Sequence, residues 1–294
     1  MTSSLAAKIA LLSGYGASSD GPSIAQAQYR IDLVSKWSSY IKPGARVLEL
    51  GCGQGDTTLV LAEAVGENGH VDAVDPGPLD YGSPKTLGQA HDTVSAGPLG
   101  QRISWVHASP LAFLAENPTK KWDAVVLSHC LWYFSSPSLI TDTLRTLAKH
   151  TKAICIAEWS LESGSRAEAL PHVLAAMTQG ALECHKPVGE SAVNIRTLVS
   201  PAQIVQLAAD AGLRVVVDSE ARVVPGVDVH DGRWEVGHVL TERFAQEVQQ
   251  FVGDEREKGF VYALRDAVRA NAPNGVKAVA SMDGWVVVFE PVDV

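Results

Sequence analysis

The segment from Arg46 to Pro76 constrains the fold more than any other part of the sequence. A mainly apolar run, 47–50, stops at a glycine, as a buried parallel strand does before a tight turn. Three glycines then occupy alternate positions: Gly51, Gly53 and Gly55. A helix is predicted from about Asp56, and a second apolar strand ends in Asp75. The order of strand, glycine turn, helix, strand and acid predicts half of a nucleotide-binding α/β fold.

The charges around this turn indicate which ligand it accepts. A glycine turn lets a ligand approach the backbone closely, and the following helix directs free N–H groups towards it. A dinucleotide fingerprint would place glycine or alanine where Asp56 stands, and Asp56 and Glu49 would both repel a pyrophosphate. Both carboxylates are compatible with a ligand that carries a positively charged sulfonium and ammonium group. Asp75 is spaced so that it can accept hydrogen bonds from both ribose hydroxyls. These features indicate S-adenosylmethionine; the alternative is an ordinary strand-to-helix turn capped by Asp56.

Two motifs resemble those of a known enzyme family. VLELGCGQGD at 47–56, followed by VDAVDPG at 71–77, resembles the first two motifs of class I S-adenosylmethionine-dependent methyltransferases. The resemblance implies a single doubly wound, seven-stranded, Rossmann-like α/β sheet whose last strand is antiparallel. It also implies that S-adenosyl-L-methionine is bound by residues of these two motifs: Glu49, Gly51, Cys52, Gly53, Asp75 and Pro76.

Later strands are predicted to supply the rest of the cofactor site. A third strand, 103–106, is followed by Ala108 and Ser109, where the resemblance places adenine. The family commonly has an aspartate at the position of Ser109; a hydroxyl can accept the same bond more weakly, and Ser109 also suits the N-cap of the next helix. The fourth strand, 123–127, precedes Ser128, which the resemblance assigns to the amino acid part of the cofactor.

His129 is the candidate catalytic residue. It follows Ser128 at the carboxyl edge of a central strand, and an imidazole can take a proton near neutral pH. Methyl transfer needs a base only when the acceptor must lose a proton, so positioning the acceptor can supply most of the acceleration. A base at His129 predicts a rate that falls on acidification through about pH 6.5. The alternative is a histidine that orients the loop or bonds the carboxylate of the cofactor.

Helical insertions are predicted around this core. The chain is expected to form a single domain over residues 1–294, with the cofactor-binding core at 41–160 and strands at 153–157, 215–217 and 286–289. A lid and two cap insertions are expected at three places: 1–40, 161–199 and 226–281. Two tyrosines of the lid could either cover the cofactor or pack in the hydrophobic core: Tyr15 and Tyr29. Two apolar stripes in the last insertion indicate helices that dock on the parent domain, and each carries an aromatic residue: Phe244 and Phe260.

Composition excludes several classes of partner. The 294 residues carry a net charge of -9, and the largest basic cluster is the pair Lys120 and Lys121, so nucleic acid is not expected as a partner. The apolar run near the start is interrupted by Lys8 and is too short for a membrane span, so we expect no membrane partner and a cytoplasmic protein. The four cysteines are far apart, which predicts reduced thiols and no metal site.

The function predicted from the sequence is transfer of a methyl group to a small organic acceptor, with secondary metabolites among the candidates. An apolar pocket wall is expected from four aromatic residues: Trp132, Tyr133, Phe134 and Trp159. Oxygen, nitrogen, sulfur and carbon acceptors stay open, as does the choice between monomer and homodimer. A second class is a methyltransferase-fold protein that binds the cofactor but serves a non-methylating reaction or a binding role. An NAD-dependent oxidoreductase is disfavoured by Asp56.

Overall fold

The computed structural model describes residues 4–14, 24–187, 191 and 193–292; Tyr15, a predicted lid residue, lies outside them. The strands are β1 (Arg46–Leu50), β2 (His70–Asp75), β3 (Ile103–His107), β4 (Ala124–Ser128), β5 (Ile154–Trp159), β6 (Leu213–Val215), β7 (Ala221–Val223) and β8 (Gly284–Pro291). The α-helices are α1 (Ser4–Leu12), α2 (Ile24–Ser35), α3 (Asp56–Val65), α4 (Leu87–Ser95), α5 (Pro110–Glu116), α6 (Pro137–Leu147), α7 (Leu170–Glu183), α8 (Pro201–Asp210), α9 (Asp231–Val239), α10 (Glu242–Phe251) and α11 (Glu255–Asn271). In the described part of the chain, none of these helices combines the length and apolarity that a membrane crossing requires.

One half of the sheet is parallel and contains the cofactor motifs. The strand order is β3-β2-β1-β4-β5-β8-β6, and β1 to β5 all pair in parallel. Val47 and Leu48 point to opposite faces of β1 and are both fully buried, which explains the continuous apolar run in the sequence. The chain continues from β1 to β2 on one side, whereas β4 lies on the other side. A crevice for a ligand therefore opens at the carboxyl ends of β1 and β4.

The other half of the sheet is antiparallel. β8 pairs antiparallel with β5, β6 and β7, which confirms the predicted α/β fold with an antiparallel late strand. The described residues contain eight strands rather than the predicted seven, because the three-residue strand β7 also pairs with β8. β6 ends at Val215 and Val217 is 84% exposed, so the strand predicted at 215–217 was placed too late in the chain.

The helices of the predicted lid segment pack on the sheet domain. α1 packs against α2, and both contact α3. Tyr29 on α2 is 1% exposed and belongs to the main core. The main core also contains the apolar residues of β1, β2, β4, β5 and β8. Thus α2 is fixed against the same elements that carry the glycine turn.

The two predicted cap insertions share a second core. α7, from the first insertion, packs against α9 and α11 from the second. The buried residues of this second core are Ala175, Leu182, Val236, Val239, Phe244, Val248, Val252, Val261, Val268 and Val279. Phe244 is 1% exposed, but Phe260 is 59% exposed. The prediction that Phe260 lies on the helix face that packs against the domain was therefore wrong. α9 was not predicted because its sequence, DGRWEVGHV, has no clear apolar stripe.

Candidate active site

The three glycines of the turn have different structural roles. Gly51, Gly53 and Gly55 all have positive φ, a conformation that side chains disfavour. A Cβ at Gly51 would lie 2.5 Å from the Cβ of Cys130, and one at Gly55 would lie 2.7 Å from the Trp105 ring. A Cβ at Gly53 would meet no described atom within 4 Å. Two glycines therefore permit close packing, and Gly53 faces open space that a ligand can enter.

Asp75 is fixed beside this open position. The backbone N–H of Gly53 donates to Asp75 Oδ2 at 2.8 Å, and that of Gly77 donates to Oδ1 at 2.7 Å. Each carboxylate oxygen can still accept a second hydrogen bond. The carboxylate is thus oriented against the turn with acceptor capacity for two hydroxyls, and its contact with the ribose stays a prediction. Pro76 follows at the end of β2, and its carbonyl oxygen lies 3.1 Å from His107 Nε2.

Glu49 lies inside the domain rather than on its surface. It is 1% exposed, and the Thr58 hydroxyl donates to its Oε2 at 2.5 Å. Burial raises the pKa of Glu49 to about 8, so the carboxyl is mainly protonated at neutral pH in this structure. Cys52 in the turn is also buried, and burial raises the pKa of its thiol. Direct contact of either residue with the cofactor stays a prediction.

The start of α3 excludes the simpler explanation of the turn. α3 begins at Asp56, and its N-cap is Gly55, which makes no side-chain capping hydrogen bond. Asp56 is therefore a first-turn residue and not the cap expected in the alternative interpretation. Burial raises the pKa of its carboxyl, and the Arg30 charge opposes that rise.

The predicted adenine and amino acid contacts lie at the ends of β3 and β4. Ser109 is the N-cap of α5, and its Oγ accepts a hydrogen bond from the Ala112 N–H at 3.4 Å. The neighbouring Ala108 N–H donates to the Asp75 carbonyl at 3.2 Å, which joins this loop to the ribose side. Ser128 Oγ lies 3.4 Å from the hydroxyl of Thr57 on α3. The capping role of Ser109 is confirmed, while its contact with adenine and that of Ser128 with the amino acid part stay predictions.

His129 has an unusual backbone and an enclosed side chain. Its φ is 51°, in the left-handed region where residues other than glycine are uncommon, at a cost on the order of 1–3 kcal/mol. Its side chain is 7% exposed, and its Nε2 lies 3.0 Å from the Tyr29 hydroxyl. Its Nδ1 lies 3.4 Å from Glu158 Oε1. Strain of this kind is retained where the surroundings hold a residue in one functional position.

Glu158 is held rigidly beside this histidine. It is 1% exposed, and its two oxygens accept hydrogen bonds from the N–H groups of Trp159 at 2.9 Å and Leu131 at 3.1 Å. Burial raises its pKa to about 7. The Trp159 ring lies 4.2 Å from the His129 ring and stacks on Tyr29 at 5.6 Å. Of the four aromatic residues predicted as a pocket wall, Trp159 thus packs directly on the histidine ring.

The structure corrects the pH dependence predicted for His129. Burial lowers the pKa of the imidazole well below 6.5, and the nearby Arg30 charge acts in the same direction. The ring is therefore neutral at pH 7 and stays neutral on acidification through pH 6.5. The fall in rate near that pH was predicted from the ordinary pKa of an imidazole, so it is not expected from titration of this ring.

Several polar residues of this cluster were not predicted as site residues. Gln26 Nε2 donates to Asp231 Oδ2 at 2.9 Å, and Arg30 Nη2 lies 4.0 Å from Asp231 Oδ1. His172 is fully buried against Trp159, and its Nδ1 accepts a hydrogen bond from the Met282 N–H at 3.0 Å. These residues come from α2, α7 and α9, as much as 205 residues apart, so no local motif marks them.

Comparison with known proteins identifies the family. A family model described as a methyltransferase domain matches residues 24–217, more than half of the chain. The chain belongs to this family. The result confirms the resemblance of the two glycine and acid motifs to class I methyltransferases, and it gives S-adenosylmethionine as the cofactor. The turn that is open at Gly53 and the fixed Asp75 carboxylate fit that cofactor.

Individual relatives extend the similarity over most of the chain. Methyltransferase phomM' of Diaporthe leptostromiformis is 29% identical over 280 residues, covering 81% of this chain and 71% of the relative. A cyclopropane-fatty-acyl-phospholipid synthase-like protein from Lactobacillus casei is 28% identical, with a TM-score of 0.77 over 96% of this chain and 98% of that one. The [4+2]-cyclase SpnF shares the fold at 14% identity, with a TM-score of 0.52 over 98% and 94% of the two chains.

Proposed function

We propose that this methyltransferase transfers the methyl group of S-adenosylmethionine to a small organic acceptor, with secondary metabolites as the class to test first. The observation that carries the proposal is the enclosed cluster around His129, which adjoins the turn that is open at Gly53. Tyr29 from α2 and Trp159 from β5 pack directly on the His129 ring, and His172 from the first cap insertion packs on Trp159. This enclosure favours a compact acceptor. The net charge of -9 also disfavours a polyanionic acceptor.

The cofactor would be held by residues of four strand ends. The backbone at Gly51 and Gly53 would pass closely beneath it, and Asp75 would accept the ribose hydroxyls. Adenine would lie by Ala108 and Ser109, and the amino acid part would lie by Ser128. When bound, the cofactor supplies a methyl group on a positively charged sulfur, which is the electrophile of the reaction.

His129 is proposed as the base for an acceptor that must lose a proton. If the Tyr29 hydroxyl donates to Nε2, then Nδ1 carries the hydrogen. Nδ1 makes no hydrogen bond to the described residues, and Glu158 Oε1, 3.4 Å away, is the acceptor that a small shift of the ring would bring into a base-orienting pair. An acceptor hydroxyl or amine that replaces the Tyr29 hydroxyl at Nε2 would give its proton to the imidazole. The electron pair of the acceptor forms the new bond to the methyl carbon while the sulfur leaves as a neutral thioether.

The experiment is a search for the acceptor with a matched inactive variant. The purified protein is incubated with methyl-labelled S-adenosylmethionine and fractionated small-molecule extracts, and both S-adenosylhomocysteine and the labelled product are measured by mass spectrometry. We expect the two to appear in equal amounts with the wild type and to be lost with Gly53→Val, whose side chain would fill the open position of the turn. A fraction that is converted without S-adenosylhomocysteine would contradict methyl transfer and indicate the non-methylating alternative. Labelling confined to protein or nucleic acid fractions would contradict the small acceptor.

A further inference from the structure

Arg30 is a buried arginine whose hydrogen-bonding groups are not all used by the protein. Its side chain is 10% exposed. The shortest distance to its ion partner, from Nη2 to Asp231 Oδ1, is 4.0 Å and exceeds a hydrogen bond. The guanidinium carbon lies 5.4 Å from the centre of the Tyr29 ring. Its Nη1 is buried and has no hydrogen-bond partner among the residues that the structure describes.

Another buried arginine shows how this chain normally satisfies such a group. Arg265 on α11 is 9% exposed, and its Nε donates to the Val239 carbonyl at 3.0 Å. Its Nη2 donates to the carbonyls of Leu240 at 3.1 Å and Thr241 at 3.2 Å. A buried charged donor without an acceptor is costly, and of these two arginines Arg30 is the one with a guanidinium nitrogen, Nη1, that has no acceptor among the described residues.

The electrostatic surroundings of Arg30 locate it at the crevice. Burial raises the pKa of three carboxyls, and the Arg30 charge opposes the rise in each: Glu49, Asp56 and Glu158. These residues lie at the end of β1, the start of α3 and the end of β5. The geometry agrees, because the guanidinium lies over the Tyr29 ring and the Tyr29 hydroxyl lies 3.0 Å from His129 Nε2 at the end of the crevice.

We propose that Arg30 binds the carboxylate of the methionyl part of S-adenosylmethionine. The carboxylate is the anionic group of that cofactor, and a guanidinium matches its two oxygens in a forked, charge-assisted geometry. With the ribose held at Asp75 on one side of the turn, the methionyl part would extend along the crevice towards Arg30. Asp231, which is held by Gln26 at 2.9 Å, steadies the guanidinium from the cap side. The proposal rests on the cofactor site described above, and it adds the lid helix α2 to that site.

The test compares two ligands that differ only in the carboxylate. S-adenosylhomocysteine and its decarboxylated analogue, in which hydrogen replaces the carboxylate, are titrated by calorimetry into the wild type, Arg30→Met and Arg30→Lys. We expect Arg30→Met to bind S-adenosylhomocysteine about 10- to 100-fold more weakly, while its affinity for the analogue is unchanged. Arg30→Lys keeps the positive charge but lacks the paired N–H groups of a guanidinium. Its affinity for S-adenosylhomocysteine should therefore lie between those of the wild type and Arg30→Met.

Arg265→Met is the matched control, because it removes a buried arginine that the protein satisfies by itself. Its affinity ratio for the two ligands should equal that of the wild type. If Arg30→Met weakens both ligands equally, or weakens neither, the carboxylate contact is overturned. Should Arg30→Met not fold, an unchanged ratio in Arg30→Lys overturns it as well. A wild type that binds neither ligand would overturn the cofactor site itself, which is a distinguishable result.

Discussion

Replacement of Glu49 by glutamine should make the unliganded protein more stable at alkaline pH. The wild-type carboxyl is 1% exposed, and it accepts a hydrogen bond from Thr58. Glutamine keeps an oxygen that can accept the same bond, but it cannot ionise. The substitution therefore removes the buried charge while leaving the packing nearly unchanged.

The size of the effect follows from the pKa. Burial raises the pKa of Glu49 from its ordinary value near 4.5 to about 8. The folded state thus binds this proton more tightly than the unfolded state does, and the resulting stability is fully present below about pH 4.5 and is lost as the pH rises through about 8. At about 1.4 kcal/mol for each pKa unit, the loss has an upper limit of about 5 kcal/mol.

The assay is urea unfolding of the wild type and Glu49→Gln between about pH 5 and about pH 9. We expect the advantage of Glu49→Gln to grow steadily across this range and to level off above about pH 8. Thr58→Val, which removes a hydrogen bond that favours the charged carboxylate, should raise the Glu49 pKa and extend the wild-type decline to higher pH. Parallel pH profiles for the wild type and Glu49→Gln would refute the buried, protonated carboxyl.

Two further predictions concern catalysis and the cap. Once an acceptor is known, His129→Ala should lower kcat about a hundredfold or more with S-adenosylhomocysteine affinity nearly intact. Titration of the imidazole should not change the wild-type rate near pH 6.5, and a change of rate there would follow the Glu158 carboxyl, whose pKa is about 7. A variant that keeps most of the rate would leave His129 with an orienting role. Phe244→Ala should destabilise the protein by about 3–5 kcal/mol, whereas the exposed Phe260→Ala should stay within about 0.5 kcal/mol of the wild type in the same unfolding assay. Equal losses in both would contradict the described cap core.

The parts of the fold that local sequence determines were predictable. The β1 strand, the turn at Gly53 and the strand ending in Asp75 are consecutive, so apolar runs and glycine spacing were sufficient. α9 and β7 were missed because tertiary contacts decide them. The position of Phe260 was wrong because an apolar stripe on α11 does not show which of its edges faces the core.

The residues of the candidate site also fall into those that local sequence determines and those that tertiary contacts determine. Asp75 was predictable because motif spacing places it one strand from the turn. The partners of His129 were not predictable, because Tyr29 and Glu158 reach it from distant segments. Its low pKa was missed for the same reason, since burial by α2 and β5 is what lowers it. Polar residues in helices normally face solvent, so Arg30 gave no local signal of a binding role.

The cofactor site at the glycine turn is tested most directly by titrating S-adenosylhomocysteine into the wild type, Asp75→Ala and Gly53→Val. We expect saturable binding to the wild type and a loss of about 1.5–3 kcal/mol with Asp75→Ala, because two hydrogen bonds to a charged acceptor disappear. Gly53→Val should abolish binding, since its φ of 52° disfavours a β-branched residue and the side chain would fill the open position. Wild-type affinity in both folded variants would contradict the assignment of this turn to the cofactor.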